Sequence, residues 1–284
     1  MISPRAAKVL KRLSGNDTAI AAARSVLDDA AGRRQSPAER FDAPLRFGVD
    51  LGTATIVLTA VDAANVPVYW DSANCNAVRD GVVVNFSDAV AAVARLKARA
   101  EQGLGVAIES AATAFPPGVA VSEARACRFV LESAGIDCRT LTDEVSAAQA
   151  LLKLDSGAIV DVGGGSTGVG IVEHGEIVAL DDQPGGGHHL NLILAGALGI
   201  SIEDAEALKI AGHPDHVHIL KPGIERIAAA IARQIGRRPV RSVHLVGGAV
   251  MLPNTEKIVS EFIGLPVFAY PHSELVTPFG IAMS

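Results

Sequence analysis

The chain has 284 residues, 49 % hydrophobic and 20 % charged, enough to bury one large core or two modest ones and ordinary for a globular protein. Its formal net charge of −6 argues against a general binder of nucleic acid or anionic membrane. Cys75, Cys127 and Cys138 lack any paired metal spacing and fit reduced thiols. No apolar run has the length of a membrane span or the form of a signal peptide, so the expected location is the cytoplasm.

Residues 1–44 differ from the rest. Segments 5–13 and 19–31 have helical composition, with Val9, Leu10 and Leu13 on one side and Lys8, Lys11 and Arg12 on others. Residues 32–44 read as a linker rich in Arg, Gln, Ser and Pro. The segment is read as a loosely docked or frayed extension; the sharper alternative is a short amphipathic address helix that docks on a partner surface.

Beyond Arg46 the chain alternates strands and helices. Strands are expected at 46–50, 54–61, 66–70, 82–84 and 106–113, with helices at 87–101, 122–134 and 143–153. The second half is expected to run strand 176–180, helices 188–198, 201–211 and 221–236, strand 243–246 and helix 253–263. A terminal segment after Pro278 closes the chain. Such alternation predicts an α/β layered fold with both faces of each sheet covered.

Two hairpins within this pattern carry the chemistry. In the first, an apolar strand ends at Asp50, a turn holds Gly52 and Thr53, and a second apolar strand leaves. In the second, an apolar strand ends at Asp161, and Gly163, Gly164 and Gly165 precede Ser166 and Thr167. Glycine permits positive φ and close approach, and successive amide N–H groups in such a turn form an anion site suited to a phosphate chain. Asp50 and Asp161 are the carboxylates expected to hold Mg²⁺ through water. Two such hairpins about one small domain apart suggest a duplicated fold gripping one polyphosphate.

Other positions are weaker. Gly247 and Gly248 follow a strand and offer a flat surface for a base, or a plain turn into a helix begun by Pro253. Glu206 and Lys209 share one helix face; they could contact a ribose, although a solvated pair is the usual meaning of this spacing. Gly186 and Gly187 precede His188 and His189 at a helix start, where phosphate is attracted. His213, His216 and His218 with Asp215 read as a solvated loop rather than a zinc site.

In order, these motifs resemble the actin-like ATPase superfamily, which includes the chaperone DnaK, the filament protein MreB, FtsA and sugar kinases. The chain most resembles its ethanolamine-utilisation EutJ family, in the blocks 47–53, 77–82, 115–118, 130–135, 160–167 and 185–189. The resemblance implies an actin-like fold of two RNase H-like domains around a nucleotide cleft. Domain I would comprise 45–150 with 266–284, and domain II 151–265, after the helical extension 1–44. It makes Asp50, Gly52 and Thr53 the first phosphate loop and Asp161, Gly163, Gly164, Gly165, Ser166 and Thr167 the second, with Gly186 and Gly187 beside them. Glu144 would position the attacking water, with Glu123 at the matching position of MreB-type proteins. Glu206 and Lys209 would face the ribose, and Gly247 and Gly248 the adenine.

ATP or ADP with Mg²⁺ is the implied cofactor, and slow ATP hydrolysis the implied activity. The implied role is that of a chaperone- or reactivase-like accessory of a bacterial microcompartment, acting on a client enzyme or shell protein, with self-association left open. Departures from the pattern also count. Met251 stands where DnaK-like proteins place an arginine on adenine, implying weaker affinity. Residues 60–110 are too short for DnaK's catalytic-lysine subdomain, and no room follows Ser284 for a peptide-binding domain. The alternatives are a filament or scaffold protein of the MreB or FtsA kind, a small-molecule kinase, and a nucleotide sensor without turnover.

Overall fold

The computed structural model describes residues 4–79, 82–119 and 121–284, with side chains described from Asn16 onward except at 79 and 121–123. Asp80 and Gly81 of the block 77–82 therefore lie outside the described residues.

The chain opens with one continuous helix, α1 (Pro4–Ala31), rather than two. Its second half is not loosely docked. Ile20, Ala23, Leu27 and Ala30, spaced three and four apart, are buried, and burying a branched side chain such as Ile20 or Leu27 contributes about 1.5–3 kcal/mol. The buried Asn16 amide donates to Ser156 O at 2.7 Å, while its carbonyl accepts from Asp155 N at 3.1 Å. The segment that follows lies along a strand edge instead of hanging free: Gln35 N donates to Trp70 O and Ala38 N to Val68 O, both at 2.9 Å.

The first sheet is built from β1 (Arg46–Leu51), β2 (Thr55–Val61) and β3 (Pro67–Asn74), a small hairpin β4 (Val78–Arg79) and β5 (Val82–Val83) set apart from it, and α2 (Phe86–Leu104). Next come β6 (Ser110–Phe115), α3 (Val121–Ser133) and β7 (Asp137–Asp143), giving the order β3-β2-β1-β6-β7. Asn85 caps α2, and Gly105, at φ 70°, ends it, as a glycine at that position should. α4 (Glu144–Leu152) then crosses to the second sheet, its start capped by the Asp143 carboxylate accepting from Ser146 N at 2.8 Å.

The second sheet repeats the plan with β8 (Ser156–Val162), β9 (Ser166–Glu173) and β10 (Glu176–Pro184). Helices α5 (Gly187–Leu198), α6 (Ile202–Ala211) and α7 (Pro214–Ile235) precede β11 (Val243–Val246), α8 (Thr255–Ile263) and β12 (Val267–Ala269). The order β10-β9-β8-β11-β12 matches the first sheet strand for strand: an antiparallel meander of three, then two parallel strands. β12 pairs with β11, so the second sheet runs past residue 265, where the second half was expected to end. α9 (Val276–Met283) returns to the first half.

Each half has its own apolar core, and a third cluster joins them. Ile20 and Leu27 of α1, Leu151 of α4, Ile159 of β8, Val246 of β11 and Phe279 of α9 pack together. The closest approach in this junction is between α4 and α9. A Cβ on Gly280 would lie 1.9 Å from Ala147 O, so the two backbones touch where only hydrogen fits.

Candidate functional site

The two glycine turns meet. The first closes between β1 and β2, where a Cβ on Gly52 would lie 2.7 Å from Thr55 O, so this turn needs glycine. The second closes between β8 and β9, with Gly163 N donating to Ser166 O at 3.1 Å. A Cβ on Gly164 would sit only 3.1 Å from Thr53 Cβ. Symmetry of the two sheets thus brings the two hairpin tips into contact, and the aspartates behind them feel each other.

Asp50 is pushed up to about 7, first by burial and then by the Asp161 charge. Asp161 is also raised by burial, against the hydrogen bond in which Thr277 Oγ1 donates to its Oδ2 at 2.5 Å. Glu144, first residue of α4, is raised well above the carboxylate range by burial and then by Asp161, Asp50, Asp182 and Asp143. Burial and mutual repulsion thus push all three carboxyls upward, because ionising them together in one partly desolvated space is unfavourable. Hard oxygen donors of this kind suit a divalent cation held through its water shell rather than by direct ligation from three side chains.

Asp161 is fixed on its other side as well. Gly247, at φ 92°, passes so close that a Cβ there would lie 2.4 Å from Asp161 Oδ1. Gly247 is pinned in turn, its N–H donating to Ser273 O and its carbonyl accepting from Ser273 Oγ, both at 3.0 Å. Gly248 follows in a short 3₁₀ turn, with Met251 exposed at its end.

At the start of α5 the backbone behaves differently from the expectation that its amides face an anion. Gly185 N donates to Gly165 O at 2.8 Å, Gly187 N to Gly163 O at 2.9 Å and His188 N to Gly164 O at 2.8 Å. These amides brace the second hairpin. Gly186 is the hinge of that arrangement, since a Cβ there would lie 2.3 Å from Gly163 O. Thr167 is likewise spent internally, its hydroxyl donating to Gly185 O at 2.6 Å, whereas Ser166 remains half-buried.

Glu206 and Lys209 are not the solvated pair that their spacing usually means. Lys209 is buried and donates to Glu206 Oε2 at 3.0 Å and to Gly187 O at 3.2 Å, and Asn191 also donates to Glu206. Burial lowers the Lys209 ammonium, and Glu206 opposes that shift. The pair ties α6 to the α5 start beside the second turn. Glu123 lies in α3, but its side chain is outside the described residues. The histidines do not form a loop: His213 caps α7, Pro214 opens it, and His216 and His218 ride on its first turns. No cluster of three or more metal-ligating His, Cys, Asp or Glu occurs among the described residues. No described helix is long and apolar enough to cross a membrane.

Sequence reasoning missed Thr277, Ser273 and Asn191. Their signal was absent because each acts through a neighbour distant in sequence, Thr277 on Asp161 and Ser273 on Gly247. The site is thus assembled from both hairpins, α4, the 247–248 turn and the start of α9.

Residues 158–278 match the sequence model of the cell division protein FtsA family. The ethanolamine utilization protein EutJ of Salmonella typhimurium (strain LT2) is 40 % identical over 251 residues, covering 88 % of each chain. The crystal structure of EutJ from Carboxydothermus hydrogenoformans superposes with a TM-score of 0.87 at 36 % identity, covering 93 % of this chain and 99 % of that one. MreB5 of Spiroplasma citri, solved bound to AMPPNP, superposes with a TM-score of 0.67 at 17 % identity, over 84 % of this chain and 95 % of that one. The architecture is the actin-like ATPase fold.

Proposed function

The chain belongs to the EutJ family of ethanolamine-utilisation proteins, and from that premise we propose that it binds ATP and ADP between its two glycine turns and uses the bound nucleotide to act on a client protein. The observation that carries the reading is the contact of Gly164 with Thr53 in front of Asp50, Glu144 and Asp161. Two opposed glycine turns suit a phosphate chain, and the carboxylates behind them suit its cation.

Under this reading Gly52, Thr53 and residues 163–166 cradle the phosphates, while Asp50 and Asp161 hold Mg²⁺ through water. When bound, the ion neutralises charge on the terminal phosphate oxygens. Glu144 then orients the attacking water, and Thr277 and Gly247 keep the Asp161 carboxylate aimed. Glu206 and Lys209 set the ribose side, and Gly247 with Gly248 the base side. Glu123 stands as a further candidate for the water. Since the helices that join the halves, α4 and α9, also carry Glu144 and Thr277, closing on a nucleotide and moving the halves are coupled. The two halves built on the first and second sheets, the second running on through β12, are the moving bodies of this proposal. The client is proposed to be an enzyme or shell protein of a microcompartment pathway, and the setting cytoplasmic.

A second reading, a nucleotide sensor without turnover, is favoured by the placing of Glu144 beside Asp50 and Asp161, where burial and their charges disfavour the ionised form that would accept a proton from water. Calorimetry with ATP and ADP plus Mg²⁺ on wild type and Asp161→Ala tests the site, and a turnover assay beside it separates ATPase from sensor. Binding lost in the variant is expected. Equal affinity of the two proteins would refute the site.

A further inference from the structure

α1 is bonded to the two halves unequally. Its C-terminal end and the residues after it are built into the first sheet. Trp70 Nε1 donates to Ala30 O at 2.9 Å, and backbone bonds run from Trp70 N to Arg33 O at 3.2 Å, Gln35 N to Trp70 O at 2.9 Å and Ala38 N to Val68 O at 2.9 Å. The Gln35 side-chain amide donates to Asp71 Oδ1 at 2.7 Å, and Asp71 is fully buried and paired with Arg99 at 2.6 Å. The Arg34 guanidinium lies 5.2 Å from the centre of the Trp70 ring. Toward the second sheet, the described side chains of α1 make hydrogen bonds at two positions. The Asn16 amide holds Asp155 N and Ser156 O, and Arg24 donates to Ala269 O at 3.2 Å in an exposed bond. A groove of about 570 Å³, lined by Asp17, Ile20, Arg24, Asp28 and Phe268, lies between α1 and β12, so the packing around that bond is open.

From Asn16 to Ala30 the helix runs about 21 Å at 1.5 Å per residue. A rod of that length fixed at one end carries its other end through about 4 Å when it turns by roughly 10°. A hydrogen bond of ordinary length does not survive such a displacement. α1 therefore holds the second half at one angle only, with Ile20, Ala23 and Leu27 seated in the apolar cluster that both halves share. We propose that α1 is a strap across the two halves, fixed to the first and releasable from the second, which holds one angle between them and lets go of β8 and β12 when that angle changes. Release uncovers Ile20 and Leu27 together with the cluster beneath them, so a movement of the halves becomes a change of surface. The coupling of this strap to nucleotide rests on the site proposed above; the unequal anchoring does not.

The test is hydrogen exchange of the full chain read by mass spectrometry, with Asn16→Ala/Arg24→Ala as the released form. Without nucleotide, residues 17–29 of the variant are expected to exchange at least about tenfold faster than in wild type, since an undocked helix of that length is marginal in water. Residues 33–38 and β3 are expected to keep the wild-type rate, and so is the fluorescence of Trp70, the one tryptophan of the chain. Arg24→Ala alone, a change at an exposed position that folding tolerates, is expected to show the same pattern at about threefold. Equal rates over 17–29 in all three proteins overturn the proposal. So does a rise over 33–38 that matches the rise over 17–29, which would make the helix and the edge segment one unit. Mg²⁺ with ATP or ADP is expected to change the exchange of 17–29 several-fold in wild type, and by reciprocity the double variant changes nucleotide affinity by the same factor. Nucleotide that binds by calorimetry and leaves 17–29 unmoved overturns the coupling. Absence of binding refutes the nucleotide site instead, and the nucleotide-free comparison then decides the strap by itself.

Discussion

At the scale of single residues, the site depends on how one carboxylate is held. Asp161 has Gly247 against one oxygen and the Thr277 hydroxyl on the other, at 2.5 Å. The Asp161 motif was legible in the sequence, because an aspartate ending an apolar strand before three glycines is a local pattern. The Thr277 contact was not, since a threonine in the apolar C-terminal helix gives no local sign of a partner in another sheet. A hydrogen bond to a charged group is worth about 1.5–3 kcal/mol, and Thr277 supports the ionised form of Asp161 against burial. Thr277→Val keeps the shape and removes the donor. Affinity for Mg²⁺-ATP at pH 7 is expected to fall by at least about tenfold, the lower end of one such bond's worth, and to recover as the pH is raised and Asp161 ionises without help. Calorimetry at pH 7 and at a higher pH checks this, and unchanged affinity at pH 7 would show that Thr277 has no positioning role.

Among the elements, α4 and α9 matter most, because they touch each other and both enter the site. Gly280 against Ala147 O sets their separation, and Gly48 against Ala282 N sets α9 on β1 in the same way, a Cβ there falling at 2.6 Å. Adding one methyl as Gly280→Ala forces a backbone that has nowhere to go. Overpacking of this kind costs about 1–3 kcal/mol, and shifting α9 from α4 also moves Thr277 away from Asp161. The expected outcome is a lower urea midpoint together with a loss of nucleotide affinity greater than Thr277→Val alone produces. Loss of stability with full affinity would break the link between junction and site. The same elements show why sequence reading was uneven. The two meanders were legible from apolar runs flanking glycine. β7 was missed because Asp137-Cys-Arg-Thr-Leu-Thr-Asp143 is mostly half-buried and shows no clean alternation. The first turns of α7 were missed because Pro214 and Pro222 look like breakers, although Pro214 sits at the first helical position, where it costs nothing.

For the molecule as a whole, the halves are held by a layer that sequence periodicity alone could not place. α1, α4 and α9 cover the backs of both sheets, and the end of α1 grips the second sheet, Arg24 donating to Ala269 O at 3.2 Å. Under that layer His244 of β11 is fully buried, bonded to Ser242 Oγ at 3.1 Å and Tyr270 Oη at 2.8 Å and stacked on Phe268. Burial lowers its imidazolium to about 4 from the ordinary 6.5. In the unfolded chain His244 takes a proton as the pH falls through about 6.5, while in the folded chain it does not until about 4. Between those values the unfolded state binds more protons, so stability falls as the medium becomes more acid. The largest loss from this one group is about 3 kcal/mol, complete near pH 4. Asp50 works in the opposite sense: raised to about 7, it binds its proton more tightly when folded, so stability gains as pH falls through 7 toward 4. A plain pH profile mixes the two, but a difference between variants does not. His244→Gln keeps a polar group beside Ser242 and Tyr270 and cannot titrate. The unfolding free energy of wild type minus that of His244→Gln, from urea titrations, is expected to drop by about 3 kcal/mol between pH 7 and pH 4, because every other group cancels. A difference that stays level across that range would mean that His244 is already charged, or open to water, in the folded protein, and that the layer above it is not closed.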